Sequence, residues 1–375
     1  MSEVNVVEVE SSRQLKEFIL YPNRLYAGDP NYVTPLYVER KEFFDFKNNP
    51  FYRTARTQLF LAMRDNEVVG RIATCVSYRH NDYHDERTGF FGFLDTPDDE
   101  EVSRKLLKVA MIELKKVGMD RMRGPMNFTT NQECGFLVEG FDGPPMVMMT
   151  YNAPYQYKLA EKFGLRKVMD LLAYKLPTDL GLTDRIKRVV EHRAARTRVK
   201  IRSIDLHNFE REVKLIREVY NQAWAKNWGF VPMDDAEFGH LAKNLKQIID
   251  PRIVCIAEHE GRAVGFSLAI PNINQALIRL DGRLLPFGLL KLLWHTKVSN
   301  KVDQCRLITF GVIPEYRRVG LDMMLYAETL RRGHEYGYKW GELSWILETN
   351  DLMRHGVEQM QAFVYKRYRV MEMPL

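Results

Sequence analysis

Between Gly311 and Gly333 the chain reads GVIPEYRRVGLDMMLYAETLRRG, and the first half of this stretch has the residue types that hold an anion. Arg317 and Arg318 stand just before Gly320, and the apolar stripe Met323, Ala327, Leu330 that follows has helical spacing. A loop that feeds the first turn of a helix leaves several backbone N–H groups unpaired and aimed at one point, where the helix dipole adds positive potential. Asp322, in that first turn, opposes an anion. Two like charges ~5 Å apart repel by about 3 kcal/mol at an effective dielectric near 20. Asp322 can equally serve the helix N-terminus itself, a contribution of about 0.3–1 kcal/mol.

Other residues offer proton chemistry. Glu342 lies in the apolar run GELSWIL, Glu348 just after it, and Glu133 in the polar cluster Asn127, Thr130, Asn131, Glu133 and Asp142. Each could take a proton from an amine, and each reads equally well as a surface or turn residue. The histidines, among them His80, His84, His192, His334 and His355, have neither a nucleophile partner nor a metal spacing. No metal site is expected. Glycine-rich dinucleotide fingerprints and P-loops are absent, which argues against dehydrogenases and phosphate-transfer enzymes. Cys75, Cys134, Cys255 and Cys305 are scattered and read as reduced core residues. With 45% hydrophobic and 28% charged residues the composition is that of a globular protein, and no apolar run approaches the ~18 residues of a membrane span. The acidic start MSEVNVVEVESS lacks a secretory pattern, so the expected location is the cytoplasm. A net charge of +6 favours anionic partners such as phosphorylated cofactors or lipid head groups without demanding nucleic acid.

The elements that must position these residues repeat. In the second half VKIRSI reads as a strand and FEREVKLIREVYNQAW as a helix. The strands RIVCIAEHEG, RAVGFSLAI and RLITFGVIP follow, then the arginine loop, a helix to about Tyr336, and the strand GELSWIL. The first half runs in parallel: VNVVEVE, a helix near SRQLKEFIL, two strands around the Asp65-Asn66 turn, GFFGFLDTP, and the helix EEVSRKLLKVAMIELKKVG. Pro97 and Pro314 each follow a strand, and Gly118 and Gly337 each close a helix. The chain therefore reads as two copies of one α/β (α+β) unit, residues 1–180 and 199–375, joined by a basic helix over 181–198. The first copy carries DTPDDEE, Asp95 to Glu101, where the second has its arginine loop; five carboxylates there would repel a pyrophosphate.

The pattern V-x-P-x-x-R-x-x-G-L, made by Val312, Pro314, Arg317, Gly320 and Leu321, resembles the pyrophosphate loop of the GCN5-related N-acetyltransferases (GNAT). GPMNFTTNQECGFLVEGFDGPPMVMMTYNAPYQYKLAEKFGL, GELSWILETNDLM and KRYRVMEMPL extend the resemblance over nearly the whole chain, to a bacterial tandem-domain subgroup. Some of its members are linked to N-acylation of long-chain amino lipids in the manner of bacterial ceramide synthases.

The resemblance implies two tandem GNAT-like domains, each with a mixed, mostly antiparallel sheet flanked by helices. It implies acyl-CoA as co-substrate, held by Phe310, Gly311, Val312, Ile313, Arg317, Arg318, Val319, Gly320 and Leu321. The family pattern wants glycine or alanine where Asp322 stands, and members of the subgroup share the aspartate. The acceptor would be an amine, hydrophobic or lipid, met by Asn127, Asn131, Glu133, Asn152 and Tyr155 of the first half. A backbone N–H near Phe310 to Val312 would polarise the thioester carbonyl. Glu342, Glu348 or Glu133 would take the amine proton, with Asn350 matching a family asparagine. The family's acid is a tyrosine on the last helix, and DLMRHGVEQM has none; Tyr155 or Tyr365 could stand in. The apolar and basic segment RLLPFGLLKLLWHTKV, residues 283–298, reads as core, as the roof of an acyl tunnel, or as a membrane-surface helix. Three functions fit: an acyl-CoA-dependent N-acyltransferase, an aminoacyl-tRNA-dependent transferase using the basic connector, and a non-catalytic acyl-CoA or lipid-binding protein.

Overall fold

The computed structural model describes residues 2–280, 282, 302–317 and 319–375; Arg318 and the segment 283–298 lie outside these. The chain forms two compact units. Unit 1 comprises residues 1–171, 277–290 and 366–375, and unit 2 comprises residues 172–276 and 291–365. Among the described residues no helix is long and apolar enough to cross a membrane, and no cluster of side chains could hold a metal ion.

Unit 1 contains β1 (Asn5–Glu8), α1 (Ser12–Leu25), α2 (Tyr37–Phe43), β2 (Ala55–Arg64), β3 (Glu67–Ser77), α3 (Tyr78–His84), β4 (Thr88–Asp95), α4 (Glu100–Lys116), β5 (Arg121–Gly124), β6 (Phe136–Glu139) and α5 (Pro154–Phe163). Local chemistry sets the boundaries. Ser11 and Gln14 close a capping box on α1. Asp65 and Asn66 take the left-handed backbone, φ 52° and 65°, that the tight β2–β3 hairpin requires. Strands β1 to β4 pair antiparallel, β4 and β5 pair parallel, and residues 371–374 pair antiparallel with β5. Met371 thereby joins Ile72, Phe91, Leu106, Leu107, Ala110 and Met122 in one buried cluster. The expected acidic loop is used internally: Asp95 pairs with Arg71 at 2.7 Å, and Asp99 caps α4 while accepting from Arg64.

Unit 2 takes in the end of β7 (Arg166–Pro177), then α6 (Asp184–Ala194), β8 (Lys200–Ser203), α7 (Phe209–Trp224), α8 (Asp235–Lys246), β9 (Val254–His259), β10 (Arg262–Pro271), β11 (Gln304–Val312), a helical turn over Pro314–Arg317, α9 (Leu321–Glu335), β12 (Trp340–Leu347), α10 (Asp351–Gln359) and the start of β13 (Phe363–Pro374). Strands β8 to β11 pair antiparallel, and β11 and β12 pair parallel. Gly118 and Gly337, at φ 81° and 86°, end α4 and α9, as their positions in the sequence lead one to expect. The mixed, mostly antiparallel sheet with flanking helices is thus present in both units.

The His80 ring is buried in unit 1 against His84 and Phe90. Burial, with help from His84 and Arg123, pushes its pKa down to about 4, while Glu86 pulls the other way. Between the ordinary histidine value of about 6.5 and about 4, the unfolded chain binds a proton that the folded chain refuses. Stability should therefore fall as pH drops through this window, by about 3 kcal/mol at its lower end. Urea denaturation of wild type and His80→Phe from pH 7.5 to 4.5 checks this: the variant should show the smaller slope, and equal slopes would locate the acid sensitivity elsewhere.

Candidate active site

The site in unit 2 is built on one irregularity. Along β10, Leu268 pairs with Thr309 but the next residue, Ala269, pairs with Leu307, so Ile308 is an extra residue in β11. Such a bulge reverses the alternation of side chains beyond it. Before it, Leu307 shares a buried cluster with Tyr326 and Leu330 of α9. Beyond it, Phe310 faces the same helix, its ring stacked 4.3 Å from that of Tyr326, while Gly311 faces α7, where an added Cβ would lie 3.1 Å from that of Ala223.

The pairing of β11 with β12 runs only from Gln304↔Trp340 to Leu307↔Leu343, although both strands continue. Ile313 donates its N–H to Val264 O on β10, so by alternation the polar groups of Phe310 and Val312 face away from β10. Both carbonyls on this edge accept from side chains: Phe310 O from Trp224 Nε1 at 2.8 Å, Val312 O from Arg317 Nε at 3.1 Å. Thr309 Oγ1 is buried without a hydrogen-bond partner among the described residues. At the end of the loop Gly320 holds φ 76° and opens α9, with Leu321 fully buried behind it and Val319 exposed.

Arg317 is committed more deeply than its sequence position suggests, since Nη2 also donates to Ala223 O at 2.6 Å and ties the loop to the end of α7. From α6, the basic connector, Arg193 brings Cγ and Nε to 3.4 Å from where a Gly320 Cβ would stand. Asp322 is half-buried on the first turn of α9, and the Tyr326 phenol is pushed up by burial and by the Asp322 charge.

Where β11 and β12 are still paired, Arg306 lies opposite Glu342. Glu342 is wholly buried and accepts from Ser344 Oγ at 2.5 Å and from the Tyr365 hydroxyl. Arg306, also buried, donates from Nε to Ser344 Oγ at 2.8 Å and stands 3.5 Å from Glu342 Oε1. The Trp340 ring meets Tyr365 edge-on at 5.7 Å. A carboxylate cut off from water but supplied with a phenol, a hydroxyl and a guanidinium can hold a proton and exchange it through the phenol. Glu348 follows β12, where its carbonyl accepts from Arg354, and Asn350 caps α10 by accepting from Met353 N at 3.2 Å.

Unit 1 shows the same device put to another use. Strand β4 has a register shift, Arg71↔Asp95 but Ala73↔Gly92, and its parallel pairing with β5 stops at Phe90↔Arg123. Beyond that point the chain itself lies along β4: Met126 N donates to Phe91 O at 2.7 Å, and Phe93 N donates to Asn127 Oδ1 at 2.8 Å. The approach is so close that a Cβ on Gly92 would fall 1.9 Å from Met126 O. Asn127 and Glu133 come together at 3.0 Å, and Arg40 of α2 closes on the other Glu133 oxygen at 2.5 Å. Asn131 donates its backbone N–H to Thr129 Oγ1, Asn152 clamps the N–H and carbonyl of Leu137, and Tyr155 donates to Thr96 O. Burial, with Asp98 and Asp95, pushes the Tyr155 phenol up to about 12.

Sequence reading missed Trp224, Arg306, Arg193 and the partnership of Glu342 with Tyr365. For Arg306 a signal existed, an arginine inside the apolar run QCRLITF. For Trp224 none did, because its partner is 86 residues away.

The fold is that of tandem GNAT proteins. It matches a tandem GNAT protein of the clavulanic acid biosynthesis pathway with a TM-score of 0.58 at 14% identity, over 99% of this chain and 98% of that one. A GCN5-related N-acetyltransferase from Sphaerobacter thermophilus gives 0.53 at 11%, over 99% and 95%. No family model matches. The chain is 38% identical to the bacterial ceramide synthase of Caulobacter vibrioides, over 100% of its own length and 98% of that protein, and belongs to the same family. Protein YghO of Escherichia coli is 37% identical over 96% and 93% of the two chains.

Arg306→Met would leave the Glu342 carboxylate buried without its cation, an expected loss of about 3–5 kcal/mol. Adding Glu342→Leu should restore much of that loss. Chemical denaturation of both variants tests this, and a double variant less stable than the single one would show that the ion pair is not the source.

Proposed function

We propose that the protein is an N-acyltransferase that moves an acyl group from a coenzyme A thioester to a primary amine, with the donor held by unit 2. One observation carries the reading: among the described residues no backbone segment pairs with the outer edge of β11 beyond Leu307, whereas the corresponding edge of β4 is filled by Met126 and Asn127. The Thr309 hydroxyl, next in the strand to Phe310 and without a hydrogen-bond partner among the described residues, fits a polar ligand.

Phe310, Gly311, Val312 and Ile313 would line the arm of the donor. Arg317, Val319, Gly320 and Leu321 would form the cradle for its phosphates, with Arg318 in the same loop. Arg193 brings a further cation against Gly320 of that cradle. When bound, the thioester supplies the activated acyl carbon. The chain's own contribution is to present the Val312 N–H group to a developing oxyanion and to manage one proton. We assign that proton to Tyr365 and Glu342: the amine proton passes to the Tyr365 oxygen as the phenol proton moves to Glu342, and the pair later returns one proton to the departing sulfur.

The name of the Caulobacter relative supports a hydrophobic, lipid-like amine, which the protein would meet at a membrane surface. Unit 1 is assigned the acceptor, with Asn127, Asn131, Glu133, Asn152 and Tyr155 as its polar groups.

Calorimetry on the full chain should find one coenzyme A site per molecule, and two equivalent sites would overturn the assignment of the donor to unit 2. Glu342→Gln and Tyr365→Phe should each keep the affinity for coenzyme A within about twofold while lowering kcat for acylation of a long-chain amine by roughly 100- to 10,000-fold. Binding without turnover by the wild-type chain, across acyl-CoA lengths and amines, would favour a non-catalytic binding protein.

A further inference from the structure

Trp224 is the last residue of α7, half-buried, and its ring stacks on Tyr220 with centroids 5.3 Å apart. Its Nε1 donates to Phe310 O, on the edge of β11 that faces away from β10. The main chain around it is held independently, because Arg317 donates to Ala223 O and Gly311 lets Ala223 approach the strand. The indole can therefore leave that carbonyl by side-chain rotation while α7 stays in place.

An indole carries one N–H donor and no acceptor. It satisfies the carbonyl of Phe310 and can do nothing for the N–H of the same residue. A ligand arm containing a secondary amide carries both a donor and an acceptor, and can pair with both groups at once, as a neighbouring strand would. Trp224 thus blocks the acceptor of this edge, and a partner that supplies the missing half of the pairing can replace it.

We propose that Trp224 is a plug on the donor edge of unit 2, displaced from Phe310 O by an amide-bearing thioester arm and retained against ligands that lack one. The inference rests on the donor reading given above. It makes Trp224 a specificity residue that selects for the arm and is indifferent to the phosphates.

The test uses the full chain with 5-fluorotryptophan in place of its 5 tryptophans. The Trp224 fluorine signal is assigned by Trp224→Phe, or by elimination with phenylalanine variants of the other tryptophans should Trp224→Phe fail to fold. Coenzyme A should shift this signal, while adenosine 3′,5′-bisphosphate, which lacks the amide arm, should leave it in place. In calorimetry Trp224→Phe should bind coenzyme A about 2- to 10-fold more tightly, the worth of one net hydrogen bond no longer in competition. Its affinity for the bisphosphate should stay unchanged. Coenzyme A binding that leaves the Trp224 signal unmoved, or unchanged or weaker affinity in the folded variant, would overturn the plug and make Trp224 a fixed wall. A wild-type chain that does not bind coenzyme A at all would instead remove the donor reading, and the plug with it.

Discussion

One extra residue, Ile308, governs the arrangement of unit 2. A regular β11 would carry a single alternation from end to end. With the bulge, Arg306 and Gly311 lie on the side of α7 while Leu307 and Phe310 pack toward α9, so the buried ion pair and the close approach of α7 share one face. Just beyond the same point the parallel pairing with β12 ends. A strand edge released in the middle of a sheet exposes polar groups that must find partners. In unit 2 the carbonyls find side chains, and in unit 1 the equivalent groups find the main chain of Met126 and the amide of Asn127.

This difference separates two units that share a plan. Both have the shifted register in the strand before the long helix, and both stop the following parallel pairing early. Unit 1 resolves the gap internally, and the amide that fills it is braced by Glu133 and Arg40. Asn127 to Glu133 is therefore a structural insert as well as a polar cluster. The acidic residues before α4 belong to the same economy of internal use, since Asp95 and Asp99 serve Arg71, Arg64 and the helix start.

The features legible in the sequence are those set by neighbours in the chain. The Asp65-Asn66 turn, the glycines after α4 and α9, and the strand-loop-helix around Gly320 depend on local backbone preference, and the tandem plan follows from their repetition. What stayed hidden depends on distance. Glu342 finds Tyr365 23 residues later, and Arg317, beside its place in the loop, donates to the carbonyls of Val312 and Ala223. The basic connector α6 reads as a solvated helix, and most of its surface is exposed, yet Arg193 lies against Gly320. Charge periodicity alone gives no means of telling these two roles apart. The segment 283–298 lies outside the described residues, so its place among core, tunnel roof and membrane helix stays a matter of composition.

Residues 366–375 belong to unit 1, where Met371 sits in the core and residues 371–374 complete the pairing of β5. These residues leave the ribosome only after all of unit 2 has been made. Until then unit 1 has one side of β5 unpaired and a gap in its apolar centre, an exposed edge of the kind that invites wrong partners. Unit 1 is begun before unit 2 and cannot be finished before it.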